Sequence, residues 1–403
     1  MAVLLTAARL LLPYAEEYHQ DVTAAISQKL GQTVEIDSLT AELHGVSPTL
    51  VINQLSLFDK TGKHILFHVD KVHIGFSLLR SIEARTPIPS SLSVQGSTLF
   101  VVRKQDATLH INNYPVKTIS KNGSDASSFQ PVVEWLFYNS RLTLDQISID
   151  YHDESLGRSV RLNNINIKLR NSKNRHQVDA LASLPDYLGS QLGVSIDLIS
   201  GDIQDIDTWK VNSYVAADNV ALKELLAWYP DNKIKLSNGA VNLRLWSEWT
   251  GIELKTISGK LDFNEVQPGV LQTDKAAYFK RADLDFELSK ENSEKWRLDV
   301  SRLQITEQNN SVRQPSRLTA EIDIQSQKAR IYTDVLYIKD FVEIIQTSQF
   351  VDANTSKWFA HVKPRGELHD IDADLHWSDE GVNDFDIALR MSNVATNAWA
   401  VSY

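Results

Sequence analysis

Leu142-Thr143-Leu144-Asp145-Gln146-Ile147-Ser148-Ile149-Asp150-Tyr151 is followed, after a short polar break, by Val160-Arg161-Leu162-Asn163-Asn164-Ile165-Asn166-Ile167-Lys168-Leu169. Apolar and polar residues alternate in both segments. A β-strand sends successive side chains to opposite faces, so each segment would carry one apolar face and one wetted face. Parallel strands buried on both sides read as solid apolar runs; this pattern is the antiparallel one. Each segment also contains one slip, where two polar residues stand between apolar ones: Asp145-Gln146 and Asn163-Asn164. An inserted residue would turn everything beyond it to the wrong face. The spacing therefore predicts a bulge or bend at each slip, and strands that are bent and strongly twisted.

The same period extends outward from this core. It recurs at Leu192, Val194, Ile196, Leu198; at Val241, Leu243, Leu245; at Ile252, Leu254, Ile257; at Leu284, Phe286, Leu288; and at Phe385, Ile387, Leu389, Met391. Short polar turns are expected at His152–Arg158 and Glu307–Ser316. Helical spacing is confined to a few places. Tyr14–Leu30 reads as a helix ended by Gly31, where a C-cap glycine belongs. Val132–Phe137 follows Pro131, Ala221–Tyr229 is stopped by Pro230, and Lys339–Gln346 and Thr355–His361 precede Pro364. Ser120–Ser128, rich in Ser, Asn, Asp and Gly, reads as a linker. The division expected is 1–13, then 14–119 as a helix plus β block, then 129–403 as continuing β-structure. An internal echo supports an elongated stack: helix, Pro, Gly239, a strand ending at Trp246 and a further strand resemble helix, Pro364, Gly366, a strand ending at Trp377 and a further strand.

Composition excludes several classes. The 403 residues carry a formal net charge of −10 and no dense basic cluster, which argues against nucleic-acid binding. Cysteine is absent, which removes disulfides, thiolate metal sites and thiol nucleophiles. Only 16 Gly and 11 Pro are present, fewer than loop-rich catalytic domains use. No phosphate loop, nucleophile elbow or zinc-protease motif occurs. His64, His68 and His73 read as strand-face histidines, and Asp283, Asp285 and Glu287, alternating with Ala282, Leu284, Phe286 and Leu288, as a solvated strand face. Neither a catalytic centre nor a cofactor or metal is expected. Met1–Pro13 is apolar but shorter than the ~20 residues of a spanning helix. It reads either as the end of a membrane anchor or as a short apolar helix docked on the adjoining domain.

So much apolar strand surface, with so few helices, needs cover. Two sheets could pack as a sandwich, or one sheet could curl into a gutter with an apolar lining; the pattern alone leaves both open.

Leu30-Gly31-Gln32-Thr33-Val34-Glu35-Ile36, Gly45-Val46-Ser47-Pro48-Thr49-Leu50, Ser77-Leu78-Leu79-Arg80-Ser81, Leu92-Ser93-Val94-Gln95-Gly96, Trp135-Leu136-Phe137 and Pro364-Arg365-Gly366-Glu367-Leu368-His369-Asp370-Ile371 occur in an order that resembles the N-terminal portion of the AsmA-like superfamily, and within it the YhdP family. The resemblance implies a longer protein of a Gram-negative envelope, anchored in the inner membrane with its bulk in the periplasm. The fold it implies is a twisted antiparallel sheet curled into an apolar groove, related to bridge-like lipid-transfer proteins. The implied activity is movement of phospholipid between inner and outer membrane without a chemical step. Its partners would be phospholipids, the inner membrane and an outer-membrane or envelope protein. The alternative is an assembly or regulatory factor for envelope proteins, acting through exposed strand edges. Under the conduit reading, Ile147, Ile149, Ile165, Ile167, Leu169, Leu192, Val194, Ile196, Leu198, Val241, Leu243 and Leu245 are the expected lining.

Overall fold

A computed structural model describes residues 16–30, 32–44, 47–59, 62–112, 114–116, 141–200, 205–229, 236–268, 279–347, 353–378 and 381–397. Residues 1–13, the linker 120–128 and the helix expected at Val132–Phe137 lie outside them. Strands dominate, and the chain divides into two units: residues 1–185 with 191–202, and residues 186–190 with 203–403. This boundary falls after the Leu142–Leu169 strands, so those strands group with the N-terminal residues.

In the first unit, α1 (His19–Leu30) precedes β1 (Val34–Glu35), β2 (Ser38–His44), β3 (Ser47–Phe58), β4 (Ile65–Phe76), α2 (Leu78–Ala84), β5 (Pro89–Arg103), β6 (Leu109–Ile111) and β7 (Tyr114–Val116). Then come β8 (Arg141–Asp153), β9 (Arg158–Ser172), β10 (Arg175–Ser183) and β11 (Gln191–Ile199). Among the described residues neighbours pair antiparallel, with one exception: β5 and β8 run parallel from Leu92↔Leu142 to Arg103↔Asp153. A parallel pair needs a connection of a dozen or more residues, and residues 104–140 separate these two strands.

The second unit is a meander: β12 (Lys210–Ala221), α3 (Leu222–Leu226), β13 (Leu236–Thr250), β14 (Glu253–Pro268), β15 (Phe279–Lys290), β16 (Lys295–Glu307), β17 (Ser316–Asp323), β18 (Lys328–Tyr337), α4 (Ile338–Thr347), α5 (Ala353–Val362), β19 (Arg365–Ser378) and β20 (Gly381–Ala395). Every consecutive pair from β12 to β20 is antiparallel. The helices expected at 221–229, 339–346 and 355–361 are α3, α4 and α5. The sequence reading missed α2, a seven-residue helix none of whose residues is buried.

The slips are bulges. Gln146 has φ 54° and Asn164 φ 50°, so Leu144 pairs with Ile167 and, past the bulge, Ile147 with Ile165, all four on one face. The Gln146 amide, displaced from the ladder, donates to Asn166 Oδ1 at 3.2 Å. Gln54 (φ 51°) in β3 and Gly96 (φ 68°) in β5 take the same left-handed backbone without a register shift, and Asn219 (φ 54°), Glu265 (φ 51°), Asp370 (φ 50°) and Asn393 (φ 52°) repeat the bulge in the second unit. Bulges in adjacent strands bend and twist a sheet while keeping its apolar face continuous.

The internal echo survives with a changed alignment. Gly239 (φ 134°) and Gly366 (φ 130°) open the two hairpins β13–β14 and β19–β20. A Cβ on Gly366 would lie 2.7 Å from Val394 Cα, and one on Gly239 3.1 Å from Val266 Cα, so both are close backbone approaches that glycine alone accommodates. The register shifts directly before Trp249 in one hairpin and directly before Trp377 in the other. Trp377 thus corresponds to Trp249. Trp246, its expected counterpart, lies on the opposite face beside Tyr214, with ring centroids 5.2 Å apart.

Candidate functional site

Cross-strand register turns the local alternation into rows that are apolar with a few small or hydroxyl residues among them. In the first unit one row runs Leu39, Ile52, Val72, Val94, Leu144, Ile167, Ala180, Val194; the next runs Ala41, Leu50, Ile74, Leu92, Leu142, Leu169, Val178, Ile196. In the second unit one row runs Val215, Leu245, Gly259, Phe286, Val300, Leu318, Thr333, Ile371, and its neighbour runs Ser213, Ser247, Ile257, Leu288, Leu298, Ala320, Ile331, Ala373, Ile387. The intervening residues make the wet face. Glu248, Thr256, Ser289, Arg297, Glu321, Arg330, Asp374 and Asp386 form one of its rows. Arg175 grips Asp197 through two hydrogen bonds of 2.8 and 2.6 Å, Arg297 reaches Glu321 at 2.7 Å, and Arg330 reaches Asp372 at 2.8 Å. Exposed pairs of this kind add little stability. They mark which face is solvated and favour the observed register.

Burial of the apolar face is uneven. Near the start of the chain it is a packed core: Val34, Ile36, Leu39, Ile52, Val69 and Val72 are buried, with Val22 and Ile26 of α1 packed against them. Beyond that region the described helices cover it only locally. Of the twelve expected lining residues, all twelve stand on the apolar face, but Ile147, Ile165 and Val241 are buried and present almost no surface. Ile149, Ile167, Leu169, Leu192, Val194, Ile196, Leu198, Leu243 and Leu245 are half-buried. A filled sandwich would bury such positions almost completely.

A family model described as YhdP protein matches residues 1–401. The chain belongs to the YhdP family. No curated protein matches it. The YhdP family is AsmA-like and of the cell envelope, and the mainly β, antiparallel architecture fits that membership. Among the described residues no helix is long and apolar enough to cross a membrane.

The polar candidates in this YhdP-family chain do not converge. His64 sits in an exposed turn 3.1 Å from Asp59, His68 bonds Ser56 at 3.0 Å, and His73 lies further along β4 opposite Val51. Among the described residues no group of His, Asp and Glu is placed to hold a metal ion. Asp283, Asp285 and Glu287 lie on the wet face. Arg281 Nε donates to Asp283 at 2.8 Å, and burial together with Asp283 pushes the carboxyl of the neighbouring Asp262 up.

One titratable group on the apolar face escaped the sequence reading. His176 of β10 is only 2 % exposed, opposite Leu198; its Nδ1–H donates to Asn171 Oδ1 at 2.9 Å, and Nε2 faces Ser200 Oγ at 3.4 Å. Burial pushes the ring's pKa down, so the folded chain holds it neutral while the unfolded chain protonates near ~6.5. Its contribution is then fully present above that pH and is lost as pH falls through the ordinary histidine range toward the depressed folded value. Between pH 7.5 and 5.5 the urea midpoint of the wild type should fall further than that of His176→Gln. Equal falls would show that this ring does not carry the dependence.

Proposed function

We propose that the apolar face of this YhdP-family chain is a passive conduit surface for phospholipid in the periplasm, serving transfer between inner and outer membrane with the chain tethered at the inner one. The supporting observation is the set of predominantly apolar rows, many of whose larger side chains beyond the N-terminal core are only partly buried, while the opposite face is charged. Each acyl CH₂ brought through water costs about 0.8 kcal/mol, so a continuous apolar strip lowers the barrier that makes spontaneous transfer slow. No bond is made or broken, and the work is done by surface alone. The bulges serve this purpose by curving each sheet without breaking the rows.

The test is native mass spectrometry with lipid extraction on protein purified from a bacterial envelope. Phospholipid should accompany the wild type. Ile196→Asp in the first unit and Leu284→Asp in the second should strip it while leaving the far-ultraviolet circular dichroism unchanged. A folded wild type free of lipid would sink the conduit and favour an assembly factor acting through strand edges.

A further inference from the structure

In the second unit the tight turns at 251–252, 291–294 and 324–327 lie along one edge of the meander, whereas α3, α4 and α5 lie along the other. At the hairpin ends of several strands the apolar face carries tryptophan. Trp249 pairs with Leu254 and Trp377 with Val382, while Trp296 continues Lys290 into Ile322, Ala329, Leu375 and Phe385. The Lys290 ammonium lies 5.7 Å from the Trp296 ring centroid and 2.6 Å from Glu253 Oε1, and its side chain is only 15 % exposed. The Lys255 ammonium binds the other oxygen of the same carboxylate at 2.6 Å. Lys255 and then Lys290 hold the Glu253 carboxyl down to about 2. Two ammoniums sharing one carboxylate leave one positive charge beside the row Ile257, Leu288, Leu298, toward the hairpin ends of the strands.

We propose that Lys255 and Lys290, bridged by Glu253 and flanked by Trp249 and Trp296, seat the phosphate-ester anion of a lipid headgroup whose acyl chains lie along Leu288, Phe286 and Leu284 of β15. This deepens the conduit reading and rests on it. Lysine binds phosphate as a point charge, and tryptophan suits a boundary where one side is apolar and the other wet. From Lys290 to Ala282 the strand offers eight residues, about 26 Å at ~3.3 Å per residue. That exceeds the ~15 Å that the chains of one leaflet fill.

The experiment titrates the whole chain with three probes in detergent: dioleoyl phosphatidylglycerol, dioleoylglycerol and inorganic phosphate. Lys255→Gln/Lys290→Gln should weaken phosphatidylglycerol binding about tenfold and leave dioleoylglycerol unchanged. Lys255→Arg/Lys290→Arg should retain binding, and inorganic phosphate should compete poorly with the wild type. Equal weakening of both lipids, or no weakening of either, overturns the headgroup seat. Inorganic phosphate binding as tightly as the phospholipid would reassign the cluster to a free anion and overturn it as well. A wild type that binds neither lipid overturns the conduit itself, a result distinct from the others.

Discussion

Ile165→Asp should lower the stability of the first unit by about 4 kcal/mol, whereas Ile196→Asp on the same apolar face should cost only about 1–2 kcal/mol. The two positions look alike in sequence, each an isoleucine in an alternating strand. In the structure Ile165 is 5 % exposed and packs with Ile147 and Ala182, surrounded by Leu99, Leu144, Ile149, Leu162 and Ile167. A carboxylate there has no partner and no route to water, so it must either protonate or open the cluster. Ile196 is half-buried opposite Val178, and a carboxylate at that site can turn toward solvent. Urea denaturation followed by circular dichroism measures both. Similar losses would mean that the bulges of β8 and β9 do not build a distinct core and that the whole face is packed alike.

Arg313→Ala should cost the second unit about 3 kcal/mol, because it leaves buried acid without its counter-charge. The Arg313 guanidinium lies 4.7 Å from the Tyr337 ring centroid, pairs with Glu307, and stands 3.5 Å from Asp340 Oδ2 at the start of α4. Asp340 is 5 % exposed. Burial pushes its carboxyl up, and Arg313 is the main influence drawing it back. Without Arg313 the carboxyl would rise further. An acid whose folded pKa is raised stabilises below its unfolded pKa and loses that contribution as pH climbs through the folded one. The deficit of the variant should therefore be largest at neutral pH and shrink toward the ordinary carboxylate range. Denaturation midpoints between pH 5 and 8 test this, and a deficit independent of pH would place the damage in lost packing on Tyr337. Asp340→Asn, which removes the charge instead of its partner, should be much milder.

Much of this fold is written locally. The Leu142–Leu169 alternation carries enough information to specify antiparallel strands, and the paired polar residues at Asp145-Gln146 and Asn163-Asn164 specify a bulge, because a side chain's face depends only on its position along its own strand. The helices at 222–226, 338–347 and 353–362 were legible because proline follows each of them or the pair. What was misread depended on partners in other strands. Trp246 and Trp249 both stand in one strand, and the register with β14 alone shows that Trp249 matches Trp377. The parallel pairing of β5 with β8 leaves no mark in either strand, and His176 is an ordinary histidine until Asn171, Leu198 and Ser200 close around it.

Periodicity is a property of consecutive residues, and it was enough to establish that each strand has one apolar and one charged face. How that face is used depended on tertiary contacts: Ile147, Ile165 and Val241 are buried, Ile196, Leu243 and Leu245 stay half-open, and Lys255 and Lys290 meet at one carboxylate on its edge. Burial and charge proximity are set by residues far apart in the chain, and cross-strand register is what brings them together.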